Sequence, residues 1–347
     1  MVEKMKAIGF TKSLSINEKN SLVDFETEIP QANEHDLLVK ICAFSVNPVD
    51  VSVRQTRQDN LKSPKVMGWD AVGVVESVGN SASLFKSGDL VFYAGSFKRP
   101  GSNSQYQLVD ERIVGHAPKN LTYAQSAAMP LTSLTAWEAL FEQFAIDPYD
   151  FTNNQNKTLL IINGAGGVGS IATQLAHWAG LKVVASASRP ETIKWTREHG
   201  ADITVNHRND LVAEVRKYTQ QKYVDYILDL SDLNAHWEEI VELIKPSGII
   251  ASITGNSQPL DLVRLKQKRA IFAWEWMFTK SFYQTDNMIT QHDILEKIAE
   301  LLDKGVIKST LTRTLSPINV SNLKEAHRLV ESHRMIGKVV VSNEAEK

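Results

Sequence analysis

The apolar run Leu159-Leu160-Ile161-Ile162 leads, one residue later, into Gly164-Ala165-Gly166-Gly167-Val168-Gly169, and Ser170-Ile171-Ala172-Thr173-Gln174-Leu175-Ala176 follows at once. A buried-type strand, a glycine-rich turn and a helix in that order leave few folds open to the chain. Gly164 permits a tight turn, Gly166 lets a ligand approach the backbone, and Gly169 lets helix and strand pack closely. The unpaired N–H groups at the start of such a helix, with the positive end of its dipole, suit the pyrophosphate of a dinucleotide.

The alternation continues beyond this junction. Val183–Ala185, Ile203–Val205, Tyr226–Leu228 and Ile249–Ile253 read as strands. Glu191–His199, Leu211–Tyr218 and Trp237–Ile244 separate them as helices. Strands that read as continuous apolar runs between helices predict a parallel, doubly wound α/β sheet. The earlier part has a different texture, with Leu37–Ile41, Ala71–Gly79 and Leu90–Tyr93 as short strands broken by turns such as Ser87-Gly88-Asp89. It predicts an irregular β-barrel, joined to the sheet by helical segments at Tyr123–Met129 and Leu134–Phe144 and a polar loop at Asp147–Asn156. At 347 residues, about two domains are expected.

A formal net charge of −2 gives no positive field to gather a phosphate backbone, so nucleic acid is not expected as a partner. The single cysteine, Cys42, excludes an intrachain disulfide and any multi-thiolate zinc site, and fits a reducing compartment. No run of about 18 apolar residues is present to span a membrane, and the residues after Met1-Val2-Glu3-Lys4-Met5-Lys6 are too short an apolar stretch for a secretory leader. A cytoplasmic protein is expected.

An acidic residue some 20 positions past the glycine turn would hold the ribose diol of NAD. Here the second strand ends in Ala185-Ser186-Ala187-Ser188-Arg189-Pro190, with no carboxylate before Glu191. Without that acid a 2′-phosphate meets no repulsion, while Ser188 can donate a hydrogen bond and Arg189 can pair with the dianion. NADPH is the expected cofactor; the alternative is that Arg189 is a solvated helix-entry residue and the pocket does not discriminate.

Several further motifs recur in order: Ser45-Val46-Asn47-Pro48-Val49-Asp50, Met67-Gly68-Trp69-Asp70-Ala71-Val72-Gly73, Gly88-Asp89-Leu90-Val91, Leu131-Thr132-Ser133-Leu134-Thr135-Ala136 and Ile336-Gly337-Lys338-Val339-Val340. With the glycine turn they resemble the medium-chain dehydrogenase/reductase superfamily. They are most similar to its quinone oxidoreductase branch and to bacterial zinc-type alcohol dehydrogenase-like proteins. The resemblance implies a GroES-like barrel domain over residues 1–128 and 305–347 and a Rossmann cofactor domain over 129–304. In the zinc enzymes of the superfamily two cysteines and a histidine hold the metal. The matching positions here are Asn47, Trp69 and the neighbourhood of Leu131, which are not a zinc set.

The resemblance therefore implies a zinc-free reductase that passes hydride from NADPH to a quinone or an α,β-unsaturated carbonyl. Asn47 is the first candidate donor to the developing oxyanion. Thr132 matches a position near the nicotinamide carboxamide and ribose, or else caps a helix. Tyr93 either supplies a proton or walls the pocket, and Trp69 either offers a flat surface to a conjugated substrate or belongs to the core. Gly164, Gly166, Gly167, Val168 and Gly169 would hold the pyrophosphate. Ser188, Arg189, His207 and Arg208 would face the 2′-phosphate, with His207 standing where quinone oxidoreductases keep a tyrosine. Ile271–Met277 matches the last strand of the cofactor sheet, which implies a homodimer; its aromatic residues may equally be read as packing. Two other readings stay open, a zinc alcohol dehydrogenase with an atypical site at Asp50 or Asp70 and a non-catalytic NADPH-binding protein.

Overall fold

A computed structural model describes residues 3–56 and 60–343, so Met1, Val2 and the last four residues of the expected 305–347 segment lie outside the described residues. The chain divides into two compact units, one of Met1–Leu134 with Phe278–Lys347 and the other of Thr135–Met277.

The first unit opens with strands β1 (Lys4–Phe10), β2 (Val23–Glu28) and β3 (Asp36–Val46), followed by helix α1 (Pro48–Thr56). Strands β4 (Lys65–Val66), β5 (Ala71–Val78), β6 (Leu90–Tyr93), β7 (Tyr106–Asp110) and β8 (Val114–His116) precede helices α2 (Tyr123–Ala127) and α3 (Pro130–Trp137). The second unit holds α4 (Phe151–Asn154), β9 (Thr158–Ile162), α5 (Gly167–Trp178), β10 (Lys182–Ser186), α6 (Pro190–Glu198) and β11 (Ile203–Val205). It continues with α7 (Leu211–Thr219), β12 (Val224–Asp229), α8 (Leu233–Leu243), β13 (Ile244–Ser252) and β14 (Ile271–Trp274). The chain then returns to the first unit through α9 (Thr279–Tyr283), α10 (Thr290–Asp303), β15 (Leu311–Leu315), α11 (Val320–Glu331) and β16 (Lys338–Ser342).

In the second unit six parallel strands run β11-β10-β9-β12-β13-β14. Numbered along the sheet's own chain order this is 3-2-1-4-5-6, the Rossmann arrangement, with its switch point between β9 and β12. All five residues of β9 are buried, as a strand covered by helices on both faces requires. The aliphatic core on one side gathers Leu160, Val184, Ile227, Leu233 and Ile240. In the first unit, β15-β16-β3-β5-β6-β8 form a sheet in which only β15 and β16 are parallel, β7 also pairs with β3, and β2-β1-β4 form a smaller sheet. Together they make the irregular, mainly antiparallel barrel of a GroES-like domain.

The sequence-based elements recur with shifted ends. The strand expected over Ile271–Met277 ends at Trp274, and the helix expected over Trp237–Ile244 runs from Leu233 to Leu243, with Ile244 starting β13. Helical periodicity at Leu134–Phe144 is divided between α3 and six residues of π-helix, Glu138–Gln143. The loop expected over Asp147–Asn156 contains α4, and α1 lies in a stretch read as barrel. No helix among the described residues is long and apolar enough to cross a membrane.

Candidate active site and dinucleotide turn

The glycine turn lies at the switch point, where a ligand crevice is expected in a sheet of this order. Its left-handed residue is Asn163, with φ 72°, rather than Gly164. Gly164 serves a different need: a Cβ there would come within 2.8 Å of the Ala185 Cβ, so its bare backbone lets the turn close on β10. Gly169 lies so near the Asn163 carbonyl that any side chain would clash, which keeps α5 against β9. Asn163 Nδ2 reaches the Leu230 carbonyl beyond β12 at 3.3 Å, bridging the switch point. Gly166 caps α5 without a side-chain hydrogen bond, and Gly166, Gly167 and Val168 are half-buried. The first amides of a twelve-residue helix are thus left for an anion.

Beside this turn, Ser186 at the end of β10 accepts from Asn163 N at 2.8 Å, and its carbonyl accepts from Gly164 N at 3.0 Å. His207 Nδ1 is 3.1 Å from Ser186 Oγ, and Ala187 N donates to the Val205 carbonyl at 2.9 Å, so the loops after β10 and β11 run abreast. Ser188 is half-buried in this loop, and Arg208 is exposed. Arg189 begins α6, with its Nε 3.3 Å from Glu191 Oε1. Burial first, then the neighbouring His236 and Arg208, hold His207 below its ordinary value.

In the first unit, Asp70 gathers four residues from three distant parts of the sequence. Its Oδ2 accepts from Ser45 Oγ at 2.6 Å, Asn47 Nδ2 at 2.7 Å and Lys338 Nζ at 3.1 Å, and its Oδ1 accepts from Leu131 N at 2.7 Å. Lys338 Nζ also donates to Asn47 Oδ1. A lysine can only donate, so this contact fixes which end of the Asn47 amide faces it and leaves one Nδ2–H uncommitted. The backbone N of Asn47 donates to Asp50 Oδ2 at 2.8 Å, tying the start of α1 to its own first turn. Asp50 is fully buried and its Oδ1 has no partner. Burial, opposed in part by the Asn47 N–H and Lys338, raises its pKa to about 7.

Thr132 is inside the first turn of α3 rather than at its cap, and its hydroxyl donates to the Met129 carbonyl at 3.2 Å. Tyr93 is buried at the end of β6 with no partner for its hydroxyl, and burial pushes the phenol well above its ordinary value. Trp69 is 1% exposed, stacked on Phe97 at 4.7 Å and edge-on to Phe278 at 6.1 Å, so it forms core rather than an open platform. Lys338 and Ser45 were not singled out as site residues, and Asp70 only as part of the atypical zinc alternative, although each stood in one of the ordered motifs. Their signal was a polar residue within an otherwise apolar strand or turn.

Comparison with known proteins agrees with this architecture. Residues 33–137 match the alcohol dehydrogenase GroES-like domain and residues 199–341 match the zinc-binding dehydrogenase family. A zinc-type alcohol dehydrogenase-like protein of Staphylococcus epidermidis is 46% identical over 97% of this chain and 99% of its own length. A crystal structure from Rhizobium etli CFN 42, assigned to the zinc-dependent alcohol dehydrogenases, superposes with a TM-score of 0.93 at 42% identity, covering 100% of both chains. An NADPH-dependent alkenal/one oxidoreductase of Arabidopsis thaliana chloroplasts is 30% identical over 90% of this chain and 73% of that protein. This chain belongs to the medium-chain dehydrogenase/reductase superfamily of oxidoreductases. The family name carries zinc, but the residues here do not fit it. Asn47 is committed to Lys338 and Asp70, Trp69 directs its indole N–H at the Ser96 carbonyl, and an ammonium stands among the candidate ligands. Among the described residues no three His, Cys, Asp or Glu side chains are grouped to hold a metal.

Proposed function

We propose that this oxidoreductase uses NADPH to reduce quinones or the C=C bond of α,β-unsaturated carbonyl compounds, without zinc. The observation that carries this reading is the Asp70 cluster, which presents a locked amide and a buried ammonium where the zinc enzymes present metal ligands. The chloroplast relative named as an NADPH-dependent alkenal/one oxidoreductase supports the same chemistry.

Bound NADPH supplies hydride from its nicotinamide ring. The chain's task is to position the acceptor and to stabilise the oxyanion that hydride addition creates, which needs donors and little acid–base machinery. Asn47 donates through its free Nδ2–H, with Lys338 and Asp70 holding the amide. Thr132 would meet the nicotinamide carboxamide and ribose, and Tyr93 would contribute wall rather than a proton. Gly164, Gly166, Gly167, Val168 and Gly169 hold the pyrophosphate, and Ser188, Arg189, His207 and Arg208 surround the 2′-phosphate. The protein acts in the cytoplasm as a homodimer, paired through the edge strand β14, where Ile271 and Trp274 are exposed with Trp276 just beyond.

The test is turnover of NADPH with 1,4-benzoquinone, 9,10-phenanthrenequinone and a panel of small enals, with metal analysis of the same preparation. Turnover at substoichiometric zinc is expected, and Asn47→Ala is expected to lower kcat by about 100-fold, as removal of an oxyanion donor does. Stoichiometric zinc, or no turnover of any acceptor, would overturn the reading.

A further inference from the structure

In the second unit, two imidazoles stand near one another beside the loop after β10. His207 is anchored through Nδ1 at 3.1 Å from Ser186 Oγ, and that oxygen already accepts from Asn163 N. Ser186 therefore ties the His207 ring to the glycine turn, and the ring's second nitrogen, Nε2, is directed away from Ser186. The His236 ring, from α8, stands against it with centroids 6.3 Å apart and planes at 78°. His236 Nδ1 is buried without a partner. An anchored imidazole with one nitrogen to spare, backed by a second with an unused nitrogen, thus sits at the strand end where this fold holds the adenosine ribose.

We propose that His207 and His236 form a proton-linked clamp for a 2′-phosphate, so that binding of NADPH, unlike NADH, draws a proton from solution into the pair. This rests on the NADPH reading above and adds to it a pH-dependent cofactor preference. The charges around the pair set the direction. Arg208 follows His207 in its own loop, Arg189 begins α6 with its guanidinium on Glu191, and Asp229 at the end of β12 faces His236. Burial first, then the neighbouring His236 and Arg208, hold His207 below its ordinary value in the protein alone, which favours the neutral ring. A phosphate dianion reverses that balance, since a second positive charge is then attracted and not repelled. Neutral His207 donates at Nε2 only when Ser186 Oγ donates to Nδ1, whereas the cation donates at Nε2 in every case and adds charge to the hydrogen bond. The aspartate that NAD-specific folds place here would have no use for this pair.

The full chain would be titrated calorimetrically with 2′,5′-ADP and with 5′-AMP, which differ only in the 2′-phosphate, in buffers of different ionisation enthalpy. A pH above about 7 is chosen because the phosphate is then already a dianion, its second pKa being about 6. Proton uptake is expected with 2′,5′-ADP and not with 5′-AMP. The affinity for 2′,5′-ADP alone should fall as pH rises from about 7 to about 8, by at most about tenfold for one linked proton. His207→Gln should abolish the uptake and His236→Gln reduce it, with the urea midpoints of both variants compared with the wild type to show that they are folded. Tighter binding of 2′,5′-ADP without proton uptake, or uptake that survives His207→Gln, would overturn the proposal and leave the NADPH reading standing. Equal binding of the two nucleotides would overturn both.

Discussion

Lys338 Nζ lies 3.1 Å from Asp70 Oδ2, and the two side chains are 4% and 0% exposed, so the ion pair is sealed from solvent. A buried pair of this kind is weak evidence for net stability, because desolvation opposes the attraction. Removing one partner is a different matter, since the other charge is then stranded. Lys338→Met should cost about 3–5 kcal/mol of unfolding free energy, and adding Asp70→Asn should recover much of it. Urea unfolding of the two single variants and the double variant measures the coupling; additive losses would show that the pair is not a unit.

Asp50 makes stability depend on pH in a stated direction. In the folded chain its carboxyl holds a proton up to about pH 7 because it is buried, whereas the ordinary aspartate value is 3.8. The folded state therefore binds the extra proton between those values, and this contribution, complete below the lower one, is lost as pH rises through the higher. From about pH 5 to about pH 7.5 the group should cost the wild type about 2–3 kcal/mol, a decline absent from Asp50→Asn. Comparing the urea midpoints of the two proteins at both pH values checks it, and parallel profiles would refute it.

Gly169→Ala should disable the dinucleotide turn. The new methyl group would overlap the Asn163 carbonyl, a backbone atom that cannot swing aside. A loss of about 1–3 kcal/mol is expected from the forced shift, together with loss of NADPH binding followed by nicotinamide fluorescence. Gly255→Ala is the matched control, because a Cβ there meets nothing within 4 Å.

On the proposed function, Glu191 would compete with the 2′-phosphate for Arg189. Their side chains are 55% and 23% exposed, and such a pair is worth no more than about 1 kcal/mol. Glu191→Gln should therefore tighten NADPH binding by no more than about fivefold and leave NADH binding unchanged. Equal changes for both cofactors in fluorescence titrations would exclude Arg189 from the phosphate site.

The Rossmann unit was the more legible half, because each of its elements carries a local signal. Leu159–Ile162 and Val183–Ala185 are apolar runs that announce themselves, and the helices between them have their own periodicity. The barrel depends on distant partners. Helix α1 was hidden in Pro48–Thr56, where Arg54 is buried against the Leu14 carbonyl and Glu331, a contact no local window contains. Lys338 stood in the motif Ile336–Val340 without a role, since lysine is ordinarily found at the surface, and its partners are 268 and 291 positions earlier. Asn47 was named from its motif, while the contacts that hold its amide had to come from the fold.

The strand order also bears on how the chain is made. β3 is hydrogen-bonded between β16 on one side and β5 on the other, so the barrel's central strand waits for a neighbour drawn from the opposite end of the sequence. On a ribosome, the parallel sheet can complete itself while the barrel is still open along that edge. Asn47 and Asp70 then have no lysine to meet, and a nascent chain interrupted before Lys338 would carry a finished parallel sheet with the cluster around Asp70 still incomplete.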